Sequence, residues 1–526
     1  MATTRVTFRT SDVGNGSNND TDAGGAVRLQ NTDETGALTG SEIRVGDEGL
    51  HLVAADGSFF DVRDLATGAQ RGALFSTVHL GTSGIDNFLG GDLNDYLNGG
   101  LGDDLLQGGL GDDFIIGGAG DDVLTGAAGN DTFIGGAGDD RIDGGVGVDT
   151  VTFEDSTAGV TVRLNGGATS DGLGGTDTLF GIENAVGTAF NDTMVGNGAD
   201  NVLNGGAGAD YLLGLNGDDV LIGGSGAANT LQGGGGNDRY VVSANDTIIE
   251  AAGEGIDTVE TTMARQRLTA NVENLIFVGA GGFTGIGNAS DNTITGGVGR
   301  DTLIGLAGND TLVGGSGEAN ELYGGIGDDV YIVSANDTIV EQAGEGLDAV
   351  LTTLNTFTLA ANIENLDFTG EGDFTGTGNA SANVIQGGAG SDTLSGRGGN
   401  DTLIGGDGDD VAVYVGNRAD YTIELTMDGY RVTDNTAGRD GVDLLMDVER
   451  ITFADGQTLV LADLFPTAGE AASASLFDAQ VIPALDDDFM LNEMSAPDFA
   501  GWTDDRNIVV LPDEFARIDP GHDAWA

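Results

Sequence analysis

Several residue types that stabilise most proteins or act in them are missing from this chain or nearly so. Its 526 residues include no Cys, 5 Pro and 3 His, and all 19 basic residues are Arg, so Lys is absent as well. Without Cys no disulfide bond can form, and rigidity outside the cell would have to come from packing or from bound metal. Without Lys there is no Schiff-base amine. No apolar run is long enough to span a membrane, so no transmembrane segment is expected.

Positive charge is also scarce. The chain has 85 acidic residues against 19 Arg, which gives a formal net charge of -66. Such a chain offers no basic patch for nucleic acid or for anionic lipid, and these partners are excluded. An acidic composition with few aromatic residues normally predicts disorder. An ordered fold would therefore need cations to neutralise it.

Glycine, by contrast, is abundant and periodic. Residues 81–152 consist of eight consecutive nine-residue units, such as GGLGDDLLQ from Gly99 and GGLGDDFII from Gly108. Position eight is apolar in every unit, and one unit cannot bury this residue alone, so the period predicts stacked units. Position six is always Asp: Asp86, Asp95, Asp104, Asp113, Asp122, Asp131, Asp140 and Asp149.

The unit also predicts a metal site. Glycines at positions one, two and four are expected to allow positive φ and a tight turn that directs backbone carbonyls toward one point. Carbonyls and carboxylates without His or Cys suit Ca²⁺ rather than zinc or copper. The glycines assigned to this site in the cleanest units are Gly100, Gly102, Gly109, Gly111, Gly118, Gly120, Gly136 and Gly138.

The units resemble the GGxGxDxUx consensus of the RTX (repeats-in-toxin) family. This resemblance implies a parallel β-roll in which two nonapeptides make one turn and Ca²⁺ lies between equivalent loops of successive turns. Pairing each unit with the next but one allows roughly 15 or fewer inter-turn sites over the whole chain.

The expected fold class is all-β, with several parallel β-roll arrays joined by strand-rich connectors and a small N-terminal β domain. The last segment before the tail resembles the sequence that closes RTX rolls. The predicted segments are an N-terminal β domain (1–80), a first array (81–153), a connector (154–186), a second array (187–241), a connector module (242–286), a third array (287–332), a second connector module (333–377), a fourth array (378–413), a roll-closing β segment (414–465) and an acidic tail (466–526).

The later arrays vary at position six. Their Asp residues are predicted calcium ligands, whereas Asn keeps an oxygen but loses the charge, so sites at Asn should be weaker or absent. The Asp residues are Asp192, Asp210, Asp219, Asp238, Asp301, Asp310, Asp329, Asp392, Asp401 and Asp410. The Asn residues are Asn201, Asn229, Asn292, Asn320 and Asn383.

A longer repeat of 91 residues overlies the arrays. VVSANDTIIEAAGEGIDTVETT from Val241 recurs as IVSANDTIVEQAGEGLDAVLTT from Ile332, and NVENLIF from Asn271 recurs as NIENLDF from Asn362. The connectors are therefore duplicated modules with apolar residues at every second position. They are expected to form strands that continue or cap the roll.

Localisation is predicted to be extracellular or at the cell surface. The N-terminus lacks the apolar core of a Sec signal, and the family resemblance implies a type I secretion signal in the tail and export through that machinery. A disordered acidic tail is the plainer reading of the same residues.

A search for catalytic groups finds none. The HExxH motif of the metalloprotease branch of the family and the GxSxG elbow of its lipase branch are both absent. The favoured function is a non-enzymatic, secreted, self-associating surface or matrix component, such as an S-layer subunit, filament or adhesin. A secreted enzyme with its active part in residues 1–80 and a soluble Ca²⁺-binding effector are the alternatives.

Overall fold

The computed structural model describes residues 77–243, 246–334 and 337–464, and the backbone of five strands before residue 62. Within these residues the chain forms a parallel β-solenoid, in which each turn contributes a short strand to each of two faces. Two nonapeptides make one turn, since strand partners in the arrays lie 18 residues apart, as in the pairing of Leu97 with Ile115. The all-β class and the parallel roll are thereby confirmed.

The first face is one sheet that runs through arrays and connectors alike. Neighbouring strands in it are parallel from Thr77–Thr82 to Val442–Met446. They are Thr77–Thr82, Asp95–Leu101, Phe114–Ala119, Thr132–Ala137, Thr150–Thr152, Asn184–Thr188, Val202–Gly208, Val220–Ile222, Arg239–Val242, Thr258–Thr261, Asn274–Phe277, Thr293–Thr295, Thr311–Val313, Val330–Val333, Ala349–Thr352, Asn365–Phe368, Val384–Ala389, Thr402–Asp407 and Val442–Met446, with the two-residue strand Ser225–Gly226 beside Val202–Gly208.

The second face is divided into three sheets. The first contains Asn87–Gly91, Leu105–Leu110, Val123–Ala128, Arg141–Val146, Thr161–Arg163, Ala168–Ser170, Thr176–Phe180, Thr193–Val195, Tyr211–Asn216, Thr230–Gly235 and Thr247–Ile248. The second contains Arg265–Arg267, Thr284–Ile286, Thr302–Ala307, Glu321–Ile326 and Thr338–Ile339. The third contains Thr356–Thr358, Thr375–Thr377, Thr393–Ser395, Val411–Val413, Arg450–Thr452 and Thr458–Val460. Both breaks fall inside the duplicated modules, so the modules continue the roll on one face and interrupt it on the other.

The core is a column of position-eight side chains between the two faces. Leu97, Leu106, Ile115, Leu124 and Phe133 are each fully buried. Because side chains in a strand alternate between its two sides, each short strand directs one such residue inward. Stacking turns therefore buries one apolar side chain per nonapeptide, worth about 1.5 to 3 kcal/mol for a Leu or Ile.

Both ends of the solenoid carry antiparallel strands. Arg5–Thr7 pairs antiparallel with Thr77–Thr82, and the backbone strands Val27–Thr32, Leu38–Gly46, Gly49–Val53 and Phe59–Asp61 form an antiparallel sheet. At the other end, the hairpin Tyr421–Leu425 and Tyr430–Asp434 pairs with Val442–Met446. Antiparallel strands thus follow the last parallel strands of both faces, whereas Asn87–Gly91, at the start of the second face, pairs only with Leu105–Leu110 among the described residues.

Helix is almost absent from the described residues, which contain a 3-10 turn at Arg418–Asp420 and one short helix, Leu461–Leu464. None of the helices among them is long or apolar enough to cross a membrane. The tail, with its predicted secretion signal, lies outside the described residues.

Candidate metal centre

The position-six Asp residues lie at the bends between the two faces, with their carboxylates inside the roll. Every one of them except Asp86 is at most 3% exposed. From Asp104 onward, Oδ1 of these residues accepts a hydrogen bond from the backbone of the preceding turn. Asp122 Oδ1 accepts from the Asp104 N–H at 2.7 Å, and Asp140 Oδ1 accepts from the Asp122 N–H at 2.8 Å. The residues thus form a carboxylate ladder along each of the two edges of the roll.

The second carboxylate oxygen, Oδ2, is buried without a hydrogen-bond partner in most of these residues. Among the described residues, Oδ2 is buried without a hydrogen-bond partner in Asp104, Asp113, Asp122, Asp131, Asp140, Asp149, Asp210, Asp219, Asp238, Asp301, Asp310, Asp329, Asp392, Asp401 and Asp410. Buried polar atoms are nearly always paired in native proteins. A row of unpaired anionic oxygens therefore points to cations as their partners.

The glycine pattern has two separate causes. Positions two and four have positive φ as predicted, for example 120° at Gly109 and 104° at Gly111. The expectation of positive φ at position one is wrong, because Gly99, Gly108 and Gly117 do not adopt it. Position one needs glycine for space instead, since a Cβ on Gly108 would lie 2.0 Å from Asp113 Oδ2.

Burial makes these carboxylates costly to ionise without a cation. It raises the pKa of Asp113 to about 8 and the pKa of Asp122 to about 7, even though each accepts a backbone hydrogen bond that lowers it. Nearby carboxylates raise both values further, including Asp131 and Asp95 beside Asp113. A bound cation would reverse this balance by favouring the charged form.

Position five forms a second, outer ladder that runs in the opposite direction. Asp103 Oδ1 accepts from the Asp121 N–H at 3.0 Å, and Asp121 Oδ1 accepts from the Asp139 N–H at 2.9 Å. These side chains are exposed, and each bonds to the turn that follows it rather than to the one before. The exposed ladder links the loops of successive turns by hydrogen bonds, whereas the buried ladder supplies the unpaired oxygens.

The donor set fits calcium. The carbonyl of Gly117 approaches Gly99 so closely that a Cβ on Gly99 would lie 2.7 Å from that oxygen and 2.3 Å from Asp104 Oδ2. Position one of each loop thus brings a backbone carbonyl near a buried carboxylate. Such hard oxygen ligands without nitrogen or sulfur are those that Ca²⁺ takes.

Asn at position six behaves differently from Asp. Asn292 Nδ2 donates to the carbonyls of Val272 at 3.1 Å and Glu273 at 3.2 Å, while its Oδ1 accepts from the Asn288 N–H. The same arrangement recurs at Asn201 and Asn383. Within these loops the amide hydrogens donate to backbone carbonyls of the preceding turn, a contact that a carboxylate cannot make.

The structure also adds ladder residues that the nonapeptide pattern misses. The connectors supply carboxylates that accept backbone N–H groups of the arrays, such as Glu183 from Asp149 at 2.8 Å and Asp257 from Asp238 at 2.8 Å. Among the described residues the added ladder members are Asp177, Glu183, Asp246, Asp257, Glu273, Asp337, Asp348, Glu364, Asp443 and Glu449. Glu273 and Glu364 accept from Asp257 and Asp348 within the connectors, and Asp443 and Glu449 belong to the roll-closing segment. Each precedes an apolar residue by two positions, as in a nonapeptide, and this spacing could have revealed them.

Comparisons with known proteins agree with this geometry. A family model described as the RTX calcium-binding nonapeptide repeat (4 copies) matches residues 80–115, 116–151, 186–221, 214–249, 286–319 and 377–412. These matches cover nearly all of the first, second and fourth arrays and the third array up to residue 319, and they leave most of the connectors unmatched.

One curated relative and one solved structure are also similar. The endo-1,3-1,4-β-glycanase ExsH of Rhizobium meliloti (strain 1021) is 41% identical over 113 residues, which is 22% of this chain and 18% of the glycanase. The chain thus spans less than a fifth of that relative. The crystal structure of a hyperactive, Ca²⁺-dependent, β-helical antifreeze protein from an Antarctic bacterium aligns over 72% of this chain and 94% of its own, at 15% identity and a TM-score of 0.13.

Proposed function

The chain is an RTX calcium-binding β-roll protein, and on that basis we propose that it is secreted, folds on extracellular calcium and serves as a non-enzymatic structural component of a surface or matrix. The observation that carries this proposal is the row of buried, unpaired Oδ2 atoms along both edges of the roll. Position-six Asp carboxylates and the carbonyls at position one would hold the ions. Bound calcium would neutralise these carboxylates and hold successive loops together.

Calcium-dependent folding follows from the charge. With a net charge of -66, the metal-free chain has to bring many carboxylates together without counter-charge. The unfolded chain has no preformed site, so the free energy of calcium binding becomes free energy of folding. Scarce cytosolic calcium would keep the chain unfolded for export, and external calcium would drive the stacking of turns.

Circular dichroism tests the folding step. In excess chelator the far-ultraviolet spectrum should lose its β signal, and the signal should return on titration with calcium. Extracellular calcium modules bind at about 10⁻⁴ to 10⁻³ M, so recovery is expected in that range. A β spectrum that stays the same in excess chelator would overturn the proposal.

Exposed apolar side chains on the loops support the structural role. Position three carries Leu101, Leu110 and Val146, which are 55%, 54% and 75% exposed. Leu101 lies on one edge of the roll and Leu110 and Val146 on the other, so both edges present apolar groups that another surface could cover. Negative-stain microscopy in millimolar calcium should therefore show lattices or fibres. Monodisperse particles would contradict self-association.

Export is tested by deleting the tail. Loss of residues 466–526 should retain the protein inside the producing cell, while calcium binding by the solenoid stays intact. Recovery of the truncated protein from the medium would remove the tail as the export signal.

A secreted enzyme is the second candidate, and the similarity to a glycanase favours it. The test is an assay of the calcium-loaded full chain on mixed-linkage 1,3-1,4-β-glucan. Release of reducing ends by the purified protein would make this the better function.

A further inference from the structure

Each duplicated module has a Glu at position one, where the nonapeptide repeat has glycine. These residues are Glu250 in the first module and Glu341 in the second. Thr338 and Ile339 pair with Glu321 and Leu322, and the Val340 N–H donates to the Leu322 carbonyl. This register places Glu341 opposite Gly324, the position-one glycine of the preceding turn. Glu250 lies opposite Gly233 in the same way.

The Glu341 carboxylate reaches the buried ladder. Its ligand oxygen lies within 4.8 Å of one from Asp329 and one from Asp348, and these three residues are 7%, 0% and 1% exposed. Glu341 Oε2 and Asp329 Oδ2 have no hydrogen-bond partner. The charges that act on Glu341 are those of Asp348, Asp329 and Glu345, all negative.

A tyrosine holds Glu341 in place. The Tyr331 hydroxyl donates to Glu341 Oε1 and accepts from the Gly324 N–H at 2.8 Å. One carboxylate oxygen is thereby anchored, and the other is left free toward the two Asp residues. Three buried carboxylates that lie together, two of them with a free oxygen, are energetically costly unless an ion joins them.

The arrangement occurs twice. In the first module Asp238, Glu250 and Asp257 also bring their oxygens within 4.8 Å of one another, with Oδ2 of Asp238 and both oxygens of Glu250 unpartnered. The Tyr240 hydroxyl again accepts from a position-one glycine, Gly233, at 2.7 Å. Both copies therefore preserve the tyrosine beside the acidic group.

We infer that each 91-residue module contains an additional site for a hard cation, Ca²⁺, formed by Asp238, Glu250 and Asp257 in the first module and by Asp329, Glu341 and Asp348 in the second. Three carboxylate ligands distinguish these sites from the loops of the arrays, where position one offers only a carbonyl. The inference rests on the proposed calcium-dependent folding, since it assigns two of the ions that drive it. These sites would join the last loop of an array to the first loop of the module that follows.

Glutamine variants of the full chain test the inference. Native mass spectrometry counts the calcium ions bound to the wild type, to Glu250→Gln, to Glu341→Gln and to the double variant. Each single variant should bind one ion fewer, and the double variant two fewer. Glu318→Gln is the matched control, because Glu318 is exposed in a loop of the third array, and its count should not change. A double variant with the wild-type count and the wild-type calcium midpoint overturns the inference.

Terbium luminescence gives a second readout that keeps all three carboxylates. Tb³⁺ replaces Ca²⁺ at oxygen sites, and an adjacent phenol sensitises its emission. Tyr331→Phe should lose part of the tyrosine-sensitised emission while binding the same number of ions, and Tyr240→Phe with Tyr331→Phe should lose more. Unchanged emission in the double Phe variant overturns the inference even if the Gln variants do not fold.

The same measurements distinguish failure of the proposed function from failure of the module sites alone. A wild type that binds no calcium contradicts the proposed function itself. A wild type that binds calcium and folds on it, together with an unaffected double Gln variant, contradicts only the module sites.

Discussion

The turns that open each array differ from the turns inside it, although both have the same backbone register. In the opening turns the position-six side chain finds its donors within the protein. The Thr188 N–H and hydroxyl donate to Asp192 at 2.7 and about 3.0 Å, and the Asn197 N–H donates to Asn201 at 2.7 Å. Inside the first array, Asp113 and Asp122 keep one oxygen without any donor. At the array starts the buried ladder thus finds its partners within the protein, whereas within the arrays it keeps the unpartnered oxygens that we propose for calcium.

This difference indicates how dependence on calcium is distributed along the chain. A neutral amide satisfies nearby carbonyls at any calcium concentration, whereas a buried carboxylate is stable as an anion only beside positive charge. We therefore expect opening turns to keep their structure without calcium and to support the calcium-dependent turns that stack on them, as capping repeats do in other solenoids. Three measurements test this difference between opening turns and inner turns.

The largest effect should come from removing calcium at different pH. The unfolded carboxyl has a pKa near 3.8, while burial raises the pKa of Asp113 and Asp177 to about 8 in the folded chain. A folded pKa above the unfolded one means that the carboxyl does not penalise folding below about pH 4, and that the penalty is complete above about pH 8. Metal-depleted protein should therefore be more folded at pH 6 than at pH 8.

Far-ultraviolet circular dichroism of exhaustively dialysed protein measures this dependence without a pH-sensitive chelator. Calcium-saturated protein is the control and should show little change over the same range, because the ion holds the carboxylates charged. If the metal-depleted chain gained β structure as the pH rose, the assignment of the unpaired oxygens to cations would be contradicted.

The second effect separates inner turns from opening turns by mutation. Asp122→Ala removes an ion ligand and leaves the Asp104 N–H without its acceptor, which costs about 1 to 3 kcal/mol apart from the lost ion. Asp113→Ala should likewise lose a site. Asn201→Ala, Asn292→Ala and Asn383→Ala should lose hydrogen bonds but no ion.

A calcium titration followed by circular dichroism distinguishes the two groups. The Asp variants should shift the folding midpoint to higher calcium and bind fewer ions, whereas the Asn variants should lower stability by a similar amount at every calcium concentration. Equal shifts of the calcium midpoint in both groups would contradict the prediction that sites at Asn are weaker than sites at Asp or absent.

The smallest effect should come from converting an opening turn into an inner one. Asn292→Asp replaces the amide that donates to Val272 and Glu273 with an oxygen that faces both carbonyls. Without calcium this should destabilise the fold by about 1 to 3 kcal/mol, and calcium should restore part of the loss by bridging the new carboxylate.

Asn191→Asp is the matched control, because it makes the same charge change at an exposed side chain whose Oδ1 accepts from the Ala209 N–H. It should alter neither stability nor calcium dependence by more than a few tenths of a kcal/mol. If Asn292→Asp proved as mild as this control in metal-free buffer, the amide at position 292 would have no special role.

The structure also explains why the family pattern ends at the connectors while the solenoid does not. Ladder partners lie 18 residues apart in the first array, as for Asp104 and Asp122, but 16 apart for Asp257 and Glu273 and 34 apart for Asp149 and Glu183. Inserted strands account for the long spacing between Asp149 and Glu183, since the antiparallel strands Thr161–Arg163 and Ala168–Ser170 lie between these two residues. A search for a fixed period cannot follow a ladder whose turns vary in length.

Residue type and spacing were enough to predict the features of this protein that depend on neighbours within one or two units. A strict nine-residue period with one apolar residue per unit requires stacked turns, and Gly at positions two and four matches the positive φ observed there. The oxygen-only donor set likewise predicted Ca²⁺ before any fold was known. These features are local, so spacing alone reveals them.

The groups that meet across turns could be identified only from the folded chain. It placed Glu341 in the space of a position-one glycine beside Asp329 and Asp348, and it showed that position one is glycine because of a carboxylate five residues later rather than because of φ. It also showed that Asn292 uses its amide hydrogens to bond the carbonyls of Val272 and Glu273, for which an Asp would offer no donor. Such contacts depend on the register between strands, which follows from hydrogen bonding along the whole sheet rather than from any single unit.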